Sequence, residues 1–155
     1  FNGCTSLTSA PTLPATTLAN YCYIGMFISC TSLTSAPTLS ATTLADYCYT
    51  GMFNGCTSLT SAPTLSATTL ADYCYSEMFN GCINLSSVKM LASKDQITSK
   101  DACCEDWLKD AGTDESVTSR TLNVKNQAAY NALKDNSYLP ADYWQIGKCT
   151  VQTKE

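Results

Sequence analysis

The sequence predicts an α/β repeat solenoid, with a short strand and a short helix in each 26-residue turn and an α+β cap at its C-terminal end. Three observations carry this reading. Cys4, Cys30, Cys56 and Cys82 are spaced 26 residues apart, and Cys22, Cys48 and Cys74 keep the same interval. The units they mark are nearly identical: CTSLTSAPTLPATTLANYCYIGMFIS, CTSLTSAPTLSATTLADYCYTGMFNG and CTSLTSAPTLSATTLADYCYSEMFNG, with a fourth that opens as CINLSSVKML at Cys82 and then diverges. Formal charge also changes abruptly along the chain. Residues 1–88 hold only Asp46, Asp72 and Glu77, while the other ten acids and all nine bases lie beyond. Repeats therefore occupy 1–92, and 93–155 form a capping segment of the kind that shields the open end of a stack.

Each element of the unit follows from local chemistry. Leu33 and Ala36 flank Thr34 and Ser35 in a Ser/Thr-rich stretch suited to a half-solvated strand, and Pro37 ends ordinary ladder pairing. In the second half of the unit Leu44, Cys48 and Met52 recur at steps of four with Ala45 and Cys56 in the same arc, which predicts about two turns of amphipathic helix stopped by Gly55. One unit alone buries almost nothing. Stacked units, with strands about 4.8 Å apart, turn equivalent residues into buried columns. The expected columns are Leu7/Leu33/Leu59/Leu85, Phe27/Phe53/Phe79 and the cysteines Cys4, Cys22, Cys30, Cys48, Cys56, Cys74, Cys82 and Cys103.

In the last third, Cys103, Trp107, Leu108 and Ala111 repeat the offsets of Cys48, Met52, Phe53 and Cys56. Residues 98–111 therefore read as one more, enlarged helix, with Thr98 or Ser99 as its N-cap and Gly112 as its C-cap. A strand at 120–124, a helix at 126–134 and a final strand at 144–146 follow. At the other end, Phe1 to Gly3 read as the tail of a preceding helix, which leaves the first layer with an uncovered apolar edge. Preceding repeats, a cap, or end-to-end self-association through this uncapped repeat would cover it. The opening Phe1-Asn2-Gly3-Cys4 has neither a basic nor an apolar leader, so the chain is read as a mature or trimmed piece.

The pattern C-x-x-L, a Pro a few residues on, then an apolar segment ending M-F-x-G-C (Met52-Phe53-Asn54-Gly55-Cys56) resembles the BspA-like, or Treponema-type, leucine-rich repeats of bacterial cell-surface proteins. A period of 26 lies within the leucine-rich-repeat range of 20–29 residues. Residues 1 to 90 carry the resemblance. Ala36 stands where the family prefers Ile or Val, and the unit is a few residues longer than the common one. Trp107-Leu108, Thr121-Leu122 and Leu139-Pro140 with Trp144 are also similar to the terminal segment of some gut-type members. The resemblance implies a non-catalytic, extracellular, adhesion-type module on a bacterial surface, with a host or bacterial surface protein or a glycan as partner. A structural stalk with no ligand of its own is the alternative.

Composition narrows the chemistry. At 155 residues and 16.7 kDa the chain suits one stack, and 45% hydrophobic residues suffice for a core. A net charge of −4 and a pI near 4.6 argue against nucleic acid, which demands a basic stripe. No apolar run approaches the roughly 20 residues of a membrane span. With no His, Ser-His-Asp and Cys-His nucleophiles are excluded, and so are His-containing zinc sites. No C-x-x-C occurs, so neither a thiolate metal cluster nor a cofactor is signalled. The acids are isolated or lie on a solvated face, so no pair suited to glycoside hydrolysis is evident, and no catalytic residue is assigned.

Two groups of side chains remain as candidates. Thr8, Ser9, Thr34, Ser35, Thr60 and Ser61 lie between the inward residues of the strand. They could be a flat polar binding face, a hydroxyl array that orders water as in ice-binding solenoids, or simply a solvated surface. The tyrosines form two rows. Tyr47 and Tyr73 lie on the polar side and Tyr49 and Tyr75 nearer the apolar arc, either to stack on sugars or to cover the seam between units. Cys104 occupies the slot of Tyr23, Tyr49 and Tyr75; with Cys149 it forms either a disulfide pinning the final strand or a pair of free thiols.

Overall fold

The computed structural model describes residues 1–153. Successive units lie side by side with equivalent residues in register. In the Ser/Thr-rich half, parallel bridges join Ser9 to Ser35, Leu13 to Leu39, Thr43 to Thr69, Ser61 to Ser87 and Leu65 to Met90. These are single bridges rather than extended strands, because Pro11, Pro37 and Pro63 stand between the bridged positions and supply no N–H.

The expected helix of each unit is not one, and this corrects the sequence reading. Residues 47–56 form a string of turns in which alternate N–H groups point in different directions. Cys48, Thr50, Met52, Asn54 and Cys56 donate three residues back, to Ala45, Tyr47, Tyr49, Gly51 and Phe53, at 3.0–3.3 Å. Tyr47, Tyr49, Gly51, Phe53 and Gly55 donate sideways instead, to Asp72, Cys74, Ser76, Met78 and Asn80 of the next unit, at 2.8–3.1 Å. Every fourth residue is left-handed: Tyr47, Gly51 and Gly55 have φ of 58°, 59° and 73°, and Tyr21/Gly25/Ser29 and Tyr73/Glu77/Gly81 repeat them. A left-handed residue cannot sit inside an α-helix. The period of four that suggests a helix belongs to this four-residue turn; a true helix would drift at 3.6 residues per turn.

The turn ribbon positions the core. Phe1, Phe27, Phe53 and Phe79 stack with centroids 5.6–5.7 Å apart, and Leu33, Leu59 and Leu85 are fully buried. Cys30, Cys48, Cys56, Cys74, Cys82 and Cys103 are fully buried as well. Cys4 and Cys22, in the first of the described units, are exposed, contrary to expectation. At the same end Phe1 and Ile24 are about half exposed, at 52% and 49%.

At the far end the stack passes into a three-stranded parallel sheet. Strand β1 (Ser87–Met90) pairs with β2 (Thr121–Val124), which pairs with β3 (Thr150–Thr153). Between β1 and β2 lies the short helix α1 (Lys94–Thr98), capped by the Ser93 hydroxyl, which accepts from the Gln96 N–H. The enlarged helix expected over 98–111 is instead a fourth turn ribbon, with Ala102, Asp106 and Asp110 left-handed at φ of 45°, 51° and 55°; Ser99 closes α1 rather than opening a helix. Gly112 ends this ribbon at φ 68°, where a Cβ would fall 2.5 Å from the Leu85 carbonyl oxygen. Helix α2 (Gln127–Asp135) follows Asn126, whose side chain accepts from the Ala129 N–H, close to the expected 126–134.

The final strand is displaced from the expected 144–146 to β3. The N–H of Trp144 donates to the Pro140 carbonyl at 2.9 Å in a turn, and its buried indole donates to the Ala111 carbonyl at 2.9 Å. The Trp107 indole likewise donates to the Tyr138 carbonyl at 2.8 Å. The two tryptophans thus fix the cap to the last ribbon. One cluster of buried side chains runs from Leu13 to Trp144. Among the described residues no helix is long and apolar enough to cross a membrane.

Glu77 holds a left-handed position (φ 54°) that Gly25 and Gly51 hold in the earlier units. Glu77→Gly is expected to stabilise the protein by about 1 kcal/mol, and Gly51→Glu to destabilise it by a similar amount. Urea unfolding monitored by tryptophan fluorescence reads both; equal midpoints for wild type and both variants would contradict the ribbon.

Candidate binding face

All six predicted hydroxyl residues, Thr8, Ser9, Thr34, Ser35, Thr60 and Ser61, are exposed. The two columns are not equivalent. Thr34 Oγ1 donates to the Thr8 carbonyl at 3.1 Å, and Ser86 Oγ donates to the Thr60 carbonyl at 3.0 Å, so the threonine column ties layer to layer. The Ser9, Ser35 and Ser61 hydroxyls bond no protein group among the described residues and are left for solvent or a ligand. Residues the sequence reasoning missed extend this row. Ser61 bridges to Ser87, Ser87 pairs with Thr121, and Thr121 pairs with Thr150. The signal was a hydroxyl at each position, hidden because the 26-residue interval fails after Ser87. Beside the row, Thr60, Asn84, Ser86, Ser116 and Thr118 line a shallow recess of about 290 Å³.

The tyrosines divide as their positions suggest. Tyr49 and Tyr75, nearer the apolar arc, are buried. Tyr21, Tyr47 and Tyr73 form an outer row with ring centroids 4.9 and 4.6 Å apart and interplanar angles of 15° and 4°. Both faces of Tyr47 and one face each of Tyr21 and Tyr73 are spent on this stacking, which removes most of the sugar-stacking platform. Next to them runs a ladder of acids. Asn20 Oδ1 accepts from the Asp46 N–H, Asp46 Oδ1 from Asp72 and Asp72 Oδ1 from Asp101, at 3.0–3.2 Å. Desolvation first, then the neighbouring Tyr73 and Tyr21, raises the Tyr47 phenol above its ordinary range.

The cysteines act as donors inside the stack. The Cys30, Cys56 and Cys82 thiols donate to the carbonyls of Phe1, Phe27 and Phe53 at 3.0, 3.1 and 3.1 Å. Burial pushes the Cys48 and Cys56 thiols up to about 12, and raises Cys74 and Cys82 as well. Cys104 and Cys149 are both free thiols, so the disulfide alternative is not what the structure contains. Cys104 is fully buried, whereas the half-buried Cys149 donates to the Gln145 carbonyl at 3.6 Å. Among the described residues no group of three or more Cys, Asp or Glu is placed to hold a metal ion.

Comparison with protein-family models, with curated proteins and with solved structures finds no match to this chain.

Native alkylation is expected to label Cys4 and Cys22 quickly and Cys149 slowly, and all ten thiols in guanidinium, with the same counts with and without reductant; fast native labelling of Cys56 would contradict the buried column. Alkali supplies a second readout. The buried Cys48 and Cys56 thiols keep their protons above the ordinary thiol range, whereas the unfolded chain loses them near pH 9, so the unfolded state binds fewer protons and stability falls as pH rises. The decline is expected to begin near pH 9 and to steepen by up to about 1.4 kcal/mol per pH unit for each thiol that titrates. Guanidinium midpoints measured from pH 7 to 11 test it, and a flat profile would contradict it.

Proposed function

We propose that the chain is a leucine-rich-repeat solenoid of the BspA-like kind, displayed outside a bacterial cell as a non-catalytic module that binds protein or glycan through its hydroxyl face. The observation that carries this reading is the serine row. Ser9, Ser35 and Ser61 are exposed, regularly placed and free of intramolecular bonds, in a part of the chain with almost no charge. Ordered, uncharged hydroxyls offer both donors and acceptors at low desolvation cost, which suits polar partners. The buried Cys48 and Cys56 thiols are consistent with life outside the cell, since a buried, protonated sulfur resists oxidation. The resemblance of the 26-residue unit to bacterial surface repeats supplies the rest.

The regular, sideways-bonded stack equally supports the second reading, a stalk that holds another domain away from the surface. Screening the protein against host serum proteins and cell-surface glycans separates the two. Binding that falls at least about tenfold in Ser35→Lys and Ser61→Lys variants of unchanged stability supports the module. Absence of binding, or binding indifferent to both substitutions, favours the stalk.

A further inference from the structure

The turn ribbons have a direction, and the last of them ends at a cavity. In the preceding unit Glu77 and Gly81 donate their N–H groups onward, to the Glu105 and Lys109 carbonyls at 2.8 and 2.9 Å. Asp106 and Asp110 are the equivalent left-handed residues of the final ribbon. Their N–H groups have no acceptor among the described residues, and by register they face away from the stack. On that side a cavity of about 330 Å³ opens between the ribbon and the 137–143 loop, lined by Asp106, Lys109, Asp110, Tyr138, Asp142 and Tyr143 among others. It falls at the lower end of the about 300–1,000 Å³ range of ligand pockets.

We propose that this cavity is a binding site for a neutral sugar, separate from the hydroxyl face and independent of it. The lining presents three kinds of group at once. The two backbone N–H groups, exposed and without an intramolecular acceptor among the described residues, are free to donate to ligand oxygens. Asp110 and Asp142 accept from hydroxyls and disfavour an anionic ligand; the only ammonium in the lining, on Lys109, is already paired with Asp106 at 3.3 Å. Tyr138 and Tyr143 supply apolar surface. A pyranose ring carries acceptor oxygens, donor hydroxyls and an apolar C–H face, so it satisfies all three. A cationic amine would leave the N–H groups unmatched, and an anion would meet the carboxylates.

The walls are also fixed in advance. The Arg120 guanidinium lies 4.9 Å from the Tyr143 ring centroid while its Nε donates to the Gly112 carbonyl at 2.7 Å. The Tyr138 backbone is held by the Trp107 indole at 2.8 Å. Desolvation, with the Cys103 and Cys104 thiols and the Glu105 and Asp101 carboxylates, pushes the Tyr138 phenol up to about 12, so at neutral pH its O–H remains a donor. Such preorganisation lowers the ordering cost that a small ligand must overcome.

The test titrates the full chain with methyl glycosides of glucose, galactose, mannose and N-acetylglucosamine, with spermidine and inorganic phosphate as charged comparators, followed by calorimetry and by Tyr chemical shifts. The expected result is millimolar or tighter binding of at least one glycoside. That binding should weaken at least about tenfold in Asp142→Asn and in Tyr143→Ala and stay unchanged in Lys125→Gln, at an exposed residue outside the lining. Urea midpoints verify that each variant is folded, and Asp142→Asn, at an exposed residue, gives a result even if Tyr143→Ala does not fold. The proposal is overturned if no glycoside binds, if binding ignores Asp142→Asn, or if spermidine or phosphate binds in place of the sugars. Loss of binding in Ser35→Lys alone would assign the sugar to the hydroxyl face and overturn this site.

Discussion

The sideways N–H···O=C bond between equivalent ribbons is the constraint on which the rest of the structure depends. Ten backbone donors from 47–56 divide into five that close local turns and five that reach the next unit. That division goes with a left-handed residue at every fourth position, which keeps the chain from coiling into a helix, while Tyr49 and Phe53 between those positions donate outward as well. Once it is in place, equivalent side chains have no freedom to shift. Phe27 must meet Phe53, Tyr47 must meet Tyr73, and each thiol of the Cys30 series must meet the carbonyl of a phenylalanine in the layer before. Near-identity of the units places like side chains against like along the stack.

This explains which features could be read from the chain and which could not. The Leu33, Phe53 and Cys56 columns follow from spacing alone, since any in-register stack buries the same residue of every unit. The local conformation does not follow. Leu44, Cys48 and Met52 at steps of four fit a helix and a four-residue turn equally well over so short a stretch. The deciding clues were Gly51 and Gly55, four apart and both left-handed, of which only Gly55 suggests a helix end. In the cap the last ribbon was visible through Cys103 and Trp107, but its nature was inherited from the same error. The hydroxyl face was legible as six residues. Its continuation through Ser87, Thr121 and Thr150 depends on the pairing of β1, β2 and β3, which the irregular spacing of the cap conceals. The sugar cavity had no sequence signature, because its donors are backbone groups and its walls come from segments some 30 residues apart.

The near-absence of charge before Lys89 has the same origin. In a stack of near-identical units, a charge at one position faces its own kind in the next unit, about one layer away, and like charges at that separation repel. Serine, threonine and asparagine tolerate such repetition because a hydroxyl or amide can donate one way and accept the other. Of the three exceptions, Asp46 and Asp72 each accept the N–H of the following layer's acid, and Glu77 accepts from the Asn54 amide, so each carboxylate has a donor. Charge becomes abundant where the repeat ends.

The direction of the ribbon also determines how its two ends differ. Each ribbon donates forward, so the first ribbon presents carbonyls and the last presents N–H groups. Two copies meeting through their first units would bring rows of carbonyls together, an electrostatic mismatch that Phe1 and Ile24, half exposed as they are, would have to overcome by apolar contact. The donor end has the opposite character. There the 138–144 segment takes two indole N–H bonds inward, at Tyr138 and from Trp144 to Ala111, and leaves the outward donors of Asp106 and Asp110 beside open space. A layer that would supply carbonyls in a longer stack is replaced at this point by aromatic walls and carboxylates. The end of the stack is therefore where this otherwise uniform molecule acquires a concave surface with mixed chemistry.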